Sequence, residues 1–319
     1  MRLCRFEQHG QPAVGIYDEQ FVVPLAAAGD AYTRATGQAV ELVDSHELLD
    51  FLPPDGESFA TAARVAEWVA RSRASLPAEL LVRTDEARLL VPIPVPKKIM
   101  LLAGNYLEHI QEGGGMATER AETFPYVFMK PTTTLRDPGK PVVLPSVSPA
   151  TIDWECELGV VIGRAAKNVS EASALSHVAG YTVVNDISNR KYRPNAQRKK
   201  RERDAFFDWQ HGKWFDTFCP CGPCVASADA IPNPQTLALK LKLNGQTRQD
   251  ASTATMIFPV AAVIEFISAM VTLSPGDIIS TGTPAGVGNT TGTYLKPGDT
   301  LEAWVAEIGT LVSPVVAEG

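Results

Sequence analysis

Asp153-Trp154-Glu155-Cys156-Glu157-Leu158-Gly159-Val160-Val161-Ile162-Gly163 places two carboxylates at the head of a run that otherwise favours burial. Val160, Val161 and Ile162 between Gly159 and Gly163 read as the end of a core strand. Side chains two apart on a strand share a face, so Glu155 and Glu157 point one way and Cys156 the other. A bare pair of this kind is ordinarily a solvated strand face. If it is buried, the like charges repel, and leaving them unpaired costs several kcal/mol or forces one to protonate. A cation between them removes the difficulty.

A third acid lies downstream in Val183-Val184-Asn185-Asp186-Ile187-Ser188, at the exit of a second apolar strand. Glu155, Glu157 and Asp186 would together offer an all-oxygen site with open positions for water and substrate. Such a site suits Mg2+, Mn2+ or Ca2+ better than zinc, which prefers nitrogen and sulfur.

Three further stretches carry chemistry. His109 and Glu112 sit three apart in Asn105–Glu112, so on a helical turn they share a face, and the carboxylate would orient the imidazole as a water-activating base. A surface histidine beside an unrelated glutamate has the same spacing. Gly113, Gly114 and Gly115 follow as candidate hinges for an element that closes over substrate. Lys213 lies among Trp209, Trp214, Phe215 and Phe218, where partial desolvation would make a nearby anion favourable; the ordinary alternative is a lysine snorkelling over an apolar surface. The loop Ser280–Gly288, which includes Gly282 and Thr283, lacks the spacing of a phosphate loop, but its small residues and hydroxyls allow close approach to a carboxylate or carbonyl group.

Composition narrows the class. The chain has 319 residues, 45% hydrophobic and 20% charged, which fits one large core or one core with a small appended domain. A net charge of −7 argues against nucleic acid as a partner, and the one basic run, Arg198–Arg203, reads as a solvated stretch. No apolar run reaches the ~18 residues of a membrane span, and Met1–Phe6 begins like a strand without a secretory core, so the expected location is cytoplasmic and away from membranes. Five cysteines, an odd number, suggest reduced thiols. Cys219, Cys221 and Cys224 have a metal-like spacing, but Pro220 and Pro223 stiffen that backbone and no second ligand pair lies nearby, so packing is the default role.

Along the chain, Leu3–Phe6, Val14–Tyr17 and Phe21–Pro24 suggest a hairpin or meander, followed by a helix over Phe59–Ser72. Alternating prolines in Val91–Pro96 enforce an extended strap, where a boundary falls between a small α+β domain (1–92) and a larger one (93–319). The larger part is β-rich. Strands are expected over Lys98–Ala103, Tyr126–Lys130, Val142–Leu144, Glu155–Ile162, Gly180–Asn185, Ala238–Leu243, Asp277–Thr281 and Thr300–Val305, with helices at Glu171–His177 and Pro259–Met270. The class is therefore α+β, dominated by a sandwich or roll of short strands.

The ordered set G-N-Y-x-x-H-x-x-E (Gly104–Glu112), D-W-E-C-E-L-G-V-V-I-G (Asp153–Gly163), N-D-I-S (Asn185–Ser188), G-K-W-F-D-T-F (Gly212–Phe218) and T-G-T-P-A-G-V-G (Thr281–Gly288) resembles the fumarylacetoacetate hydrolase family. The resemblance runs from about Pro94 to the C-terminus, and the N-terminal segment resembles that of the longer bacterial members. It implies a mixed β-sandwich roll, a homodimer, and Mg2+ or Mn2+ held by Glu155, Glu157 and Asp186. His109 and Glu112 match the water-activating dyad, Lys213 the lysine near developing negative charge, and Thr283 the loop threonine that contacts substrate oxygens. Lys130 and Arg190 match further substrate neighbours. The long charged stretch Asn189–Phe207 departs from the shorter members and leaves the substrate's outer contacts open.

The activity implied is hydrolysis of a C–C bond in a β-diketo or 2,4-dioxo acid resembling an acylpyruvate or fumarylpyruvate. Decarboxylation, keto–enol isomerisation and sugar-acid dehydration are the alternatives through a shared enolate. A metal-binding dimerisation module without activity is the rival of another class.

Overall fold

The computed structural model describes residues 1–116 and 120–319. The strand Cys156–Ile162 lies near the middle of a large mixed sheet, paired antiparallel with Val178–Asn185 on one side and Ile278–Ser280 on the other. Beyond Ile278–Ser280 come Ile99–Ala103, parallel to it, and Tyr126–Met129 at that edge. Beyond Val178–Asn185 come Cys219–Ser227, Arg2–Gln8, Gln11–Tyr17, Phe21–Pro24 and Val82–Arg83. The N-terminal meander thus continues the large sheet, joined through Arg2↔Ala226 and Leu3↔Val225. A second sheet, in the order Gln246–Ser252, Ala238–Leu243, Thr300–Val305, Gly309–Ala317 and Val142–Leu144, packs on one face of the first.

The alternation of side chains explains the two-sided core. Cys156, Leu158, Val160 and Ile162 join Tyr181 and Val183 in a cluster with Leu239, Leu241, Leu301, Ala303 and Leu311 of the second sheet. Val161 and Val184 face the opposite way, into a cluster with Leu101, Val225 and Ile278 and with Leu25, Ala28, Leu52 and Val65 of the N-terminal helical layer. That layer contains Leu25–Thr36 and Phe59–Ser72. The second of these helices buries Ala62, Val65, Ala66 and Val69, an i, i+3, i+4, i+7 stripe.

Helix Val260–Met270 is preceded by Pro259 and buries Val260, Val263, Ile264 and Ile267. Among the described strands of seven residues or more, three escape the sequence pattern: Cys219–Ser227, Gln246–Ser252 and Gly309–Ala317. Among the described helices of eight residues or more, Leu25–Thr36 and Asp204–His211 escape it as well. The cysteines Cys219, Cys221 and Cys224 are buried in the first of these strands as free thiols. Burial pushes the thiols of Cys219 and Cys224 up to about 12, so they act as packing groups. Among the described residues, no helix is long and apolar enough to cross a membrane.

Candidate metal centre and active site

Register brings the three acids together. Glu157 pairs with Val184, and just beyond the ladder the Asp186 amide donates to the Glu155 carbonyl at 2.9 Å. Since Glu155 and Glu157 share the face opposite Cys156, and Asp186 shares the face of Val184, the three carboxylates converge. One oxygen of each lies within 4.8 Å of the others. All three residues are buried. A slip of one residue between the two strands would turn the glutamate pair away from Asp186.

Each acid is held differently. Glu157 Oε2 accepts from the Ser280 hydroxyl (2.6 Å) and the Gly282 amide (2.9 Å), whereas its Oε1 is buried with no hydrogen-bond partner. Burial, then Asp186, then Glu155 push the Glu157 carboxyl well above the usual carboxylate range. Burial also disfavours ionisation of Glu155, but Arg190 and then Lys213 outweigh it and hold that carboxyl well below its usual range. Lys213 Nζ donates to Glu155 Oε2 (2.9 Å), Asp186 Oδ2 (2.5 Å) and Ser188 Oγ (2.8 Å). Burial alone would favour its neutral form, yet Asp186 and Glu155 keep its proton affinity raised. The rings of Phe128 and Trp209 sit 5.1 and 5.5 Å from its nitrogen, whereas Trp214 is half-exposed.

The fit to a hard divalent cation rests on this geometry. Three oxygen donors converge, one buried carboxylate oxygen lacks a partner, and the mutual repulsion that raises Glu157 is the repulsion a cation would relieve. The residues that would hold it are Glu155, Glu157 and Asp186.

His109 and Glu112 lie on the short helix Leu107–Glu112, with His109 Nδ1 2.8 Å from Glu112 Oε1. Glu112 Oε2 accepts from the Gly286 amide (2.9 Å) and the Thr290 hydroxyl (3.3 Å), which ties the dyad to the glycine-rich loop. His109 lines a cavity of about 60 Å³ together with Glu155, Arg190, Lys213, Thr283 and Trp209. The imidazole of the dyad, one carboxylate of the acidic triad and two cations therefore share one wall.

Two expected substrate contacts are placed elsewhere. Lys130 is fully buried and donates to Asp186 Oδ1 (2.5 Å), the Ile187 carbonyl (3.0 Å) and the Phe218 carbonyl (2.6 Å). With its three donors engaged on Asp186 and two main-chain carbonyls, Lys130 holds that carboxylate from behind. Gly282 uses its amide on Glu157, at a φ of +90°, so it serves the metal site. Thr283 lines the cavity, but its hydroxyl donates to the Cys156 carbonyl (3.0 Å) and accepts from Gln249 Nε2 (2.8 Å). Arg190 lies 2.5 Å from Glu155 Oε1 through one guanidinium nitrogen, while its Nε donates to Asp153 at 2.8 Å. Sequence reasoning missed Gln249, Ser280 and Phe128. Ser280 stood in a quoted motif, whereas Gln249, buried beneath the loop, carries no sequence signal.

The region 98–316 matches the family model "Fumarylacetoacetate (FAA) hydrolase C-terminal". The 2,4-didehydro-3-deoxy-L-rhamnonate hydrolase of Sphingomonas sp. (strain SKA58) is 37% identical over 314 residues, 97% of this chain and 94% of that protein. The mitochondrial oxaloacetate tautomerase fahd2 of Xenopus laevis is 35% identical over 285 residues, 87% of this chain and 85% of that protein. Among solved structures, maleylpyruvate hydrolase from Sphingobium sp. SYK-6, in complex with manganese(II) and pyruvate, superposes with a TM-score of 0.70 at 27% identity, covering 100% of both chains. The protein belongs to the fumarylacetoacetate hydrolase family.

Proposed function

We propose that the protein is a Mg2+- or Mn2+-dependent hydrolase that cleaves the C–C bond of a 2,4-dioxo acid with water activated by His109. The observation that carries this reading is the His109–Glu112 pair at 2.8 Å, with His109 on the wall shared by Glu155, Arg190 and Lys213. The hydrolase relative in Sphingomonas, which aligns over 97% of the chain, supports it. A divalent cation bound by Glu155, Glu157 and Asp186 would supply Lewis acidity to a substrate carbonyl.

The chain's own residues account for the proton movements. Glu112 holds the proton on His109 Nδ1 and leaves Nε2 with a lone pair. Nε2 takes a proton from water, and the hydroxide adds to the distal carbonyl carbon. The C–C bond then breaks, its electron pair passing to the pyruvate-like fragment as an enolate while the acyl group leaves as a carboxylic acid. His109 returns the proton to the enolate carbon. Arg190 and Lys213 supply positive charge where negative charge develops.

The test is a panel of acylpyruvates, fumarylpyruvate, 2,4-dioxo sugar acids and oxaloacetate assayed with Mg2+ and Mn2+, with products identified. His109→Ala should keep cation binding and lose roughly 10²–10⁴-fold in kcat; near-full hydrolysis by that variant would overturn the reading. The second reading, a keto–enol tautomerase of a 2-oxo dicarboxylate, is favoured by the small cavity of about 60 Å³ and by the Xenopus laevis relative. Turnover of oxaloacetate between its keto and enol forms with no C–C cleavage product would select it. A homodimer is the assembly proposed, measurable by light scattering.

A further inference from the structure

Asp153 has no part in the chemistry described so far, yet its carboxylate is one of the most densely bonded groups in the molecule. It is fully buried. Oδ1 accepts from the amides of Trp154 (2.8 Å) and Gly288 (2.7 Å), and Oδ2 from the Asn289 amide (2.9 Å) and Arg190 Nε (2.8 Å). It belongs to a short ladder, Ile152–Asp153 with Ser188–Asn189, that places it beside Arg190. It does not line the cavity.

Its partners lead to the two halves of the site. Through Arg190 it reaches Glu155, whose Oε1 lies 2.5 Å from the guanidinium. Through the Gly288 and Asn289 amides it anchors the loop whose neighbouring groups, the Gly286 amide and the Thr290 hydroxyl, hold Glu112. The indole of Trp154, the next residue, donates to the Gly286 carbonyl at 3.2 Å and fastens the same loop again. A Cβ at Gly288 would lie 2.8 Å from Asp153 Oδ1, so the loop approaches as closely as glycine permits.

We propose that Asp153 is a positioning residue that fixes the spacing between the His109–Glu112 dyad and the Glu155–Arg190 side of the cavity. This rests on the reading of His109 and Glu112 as the proton-transfer pair. A carboxylate suits the task because it accepts from four donors at once. An asparagine of the same shape would set its own N–H₂ against donors, dislodging either Arg190 or the loop.

The experiment is a double-mutant cycle on whichever 2-oxo acid reaction the wild-type enzyme catalyses, with kcat and KM measured separately for the wild type, Asp153→Asn, Glu112→Gln and the double variant. Asp153→Asn should lower kcat at least tenfold in the wild-type background and less than twofold in the Glu112→Gln background, since the dyad it positions is already disconnected. Equal penalties in both backgrounds, or an unchanged kcat in Asp153→Asn, would overturn the proposal and leave the dyad's role intact. Full activity in His109→Ala would instead overturn the functional reading.

Asn289→Pro provides the check should Asp153→Asn fail to fold. It removes one loop amide, in the first turn of the helix Gly288–Thr291, and keeps the Asp153–Arg190 pair; Asn289→Ala, which loses only the exposed bond from Tyr294 to Asn289 Oδ1, is its control. It should lower kcat threefold or more; an unchanged kcat would overturn the proposal.

Discussion

Replacing Lys130 by methionine would remove three donors from a place closed to solvent, leaving Asp186 Oδ1 and two main-chain carbonyls without them. Removing one partner of a buried charge pair costs about 3–5 kcal/mol. Denaturant unfolding of the cation-free protein should register a loss of that size, and added Mg2+ should recover part of it by compensating the acids. Glu157 makes a different prediction. Its carboxyl is pushed up by burial and by Asp186 and Glu155, so in the ordinary carboxylate range and above it keeps a proton that a cation must displace. Cation binding should therefore release protons, and apparent affinity should rise with pH until the carboxyl ionises unaided. Calorimetry in two buffers of different ionisation heat checks this, and binding without proton release would count against it. The convergence of Glu155, Glu157 and Asp186 and the pairing of His109 with Glu112 were legible from the ordered motifs taken together, since each spacing alone has a commoner structural explanation. The burial of Lys130 was not legible because sequence carries no depth: a lysine beside a site and a lysine beneath it read alike.

At the scale of elements, the loop after Ile278–Ser280 does most of the positioning. Gly282 sits at a φ of +90°, where an added Cβ would come 2.9 Å from Asn105 Cβ and 3.2 Å from the Leu102 carbonyl. Gly282→Ala should cost roughly 1–3 kcal/mol in strain. By shifting the amide that holds Glu157 it should also weaken cation affinity; melting curves and cation titration read the two effects separately. The helix Phe59–Ser72 could be found from its apolar stripe, and the central strands from short apolar runs bounded by turn residues. The strand Cys219–Ser227 was hidden by Pro220, Gly222 and Pro223, residues that argue against a central strand. The sheet accommodates them through a shift in register opposite Tyr181 and Val183. Helix Asp204–His211 was hidden by its charges, which pair within the segment: Arg198 bonds Asp204 at 3.0 Å and Asp208 at 2.5 Å, so the run that looked merely solvated clips a helix in place.

For the whole molecule, the continuity of the large sheet is the governing fact. Arg2–Gln8 lies against Cys219–Ser227, and the amino group of Met1 donates to Ser227 Oγ at 2.8 Å. Deleting residues 1–92 would expose the edge of Cys219–Ser227 together with Val161, Val184 and Val225 of the cluster those residues cover. The remainder is expected to aggregate or to lose cooperative unfolding, as tested by solubility and by the sharpness of its thermal transition. The two-layer β architecture was legible from strand spacing and turns, whereas the annexation of the N-terminal meander was not, because strand pairing between positions some two hundred apart leaves no local trace.

The insertion of Ile278–Ser280 between Cys156–Ile162 and Ile99–Ala103 bears on how the chain comes to be finished. While the ribosome is still synthesising the protein, the sheet has a gap at its middle, and the acids from 155 to 186 wait without the hydroxyl and amide that will cradle Glu157. The nascent chain therefore passes through a long interval in which an incomplete sheet is open to other strands, and closure has to wait for Ile278–Ser280, well past three-quarters of the 319 residues.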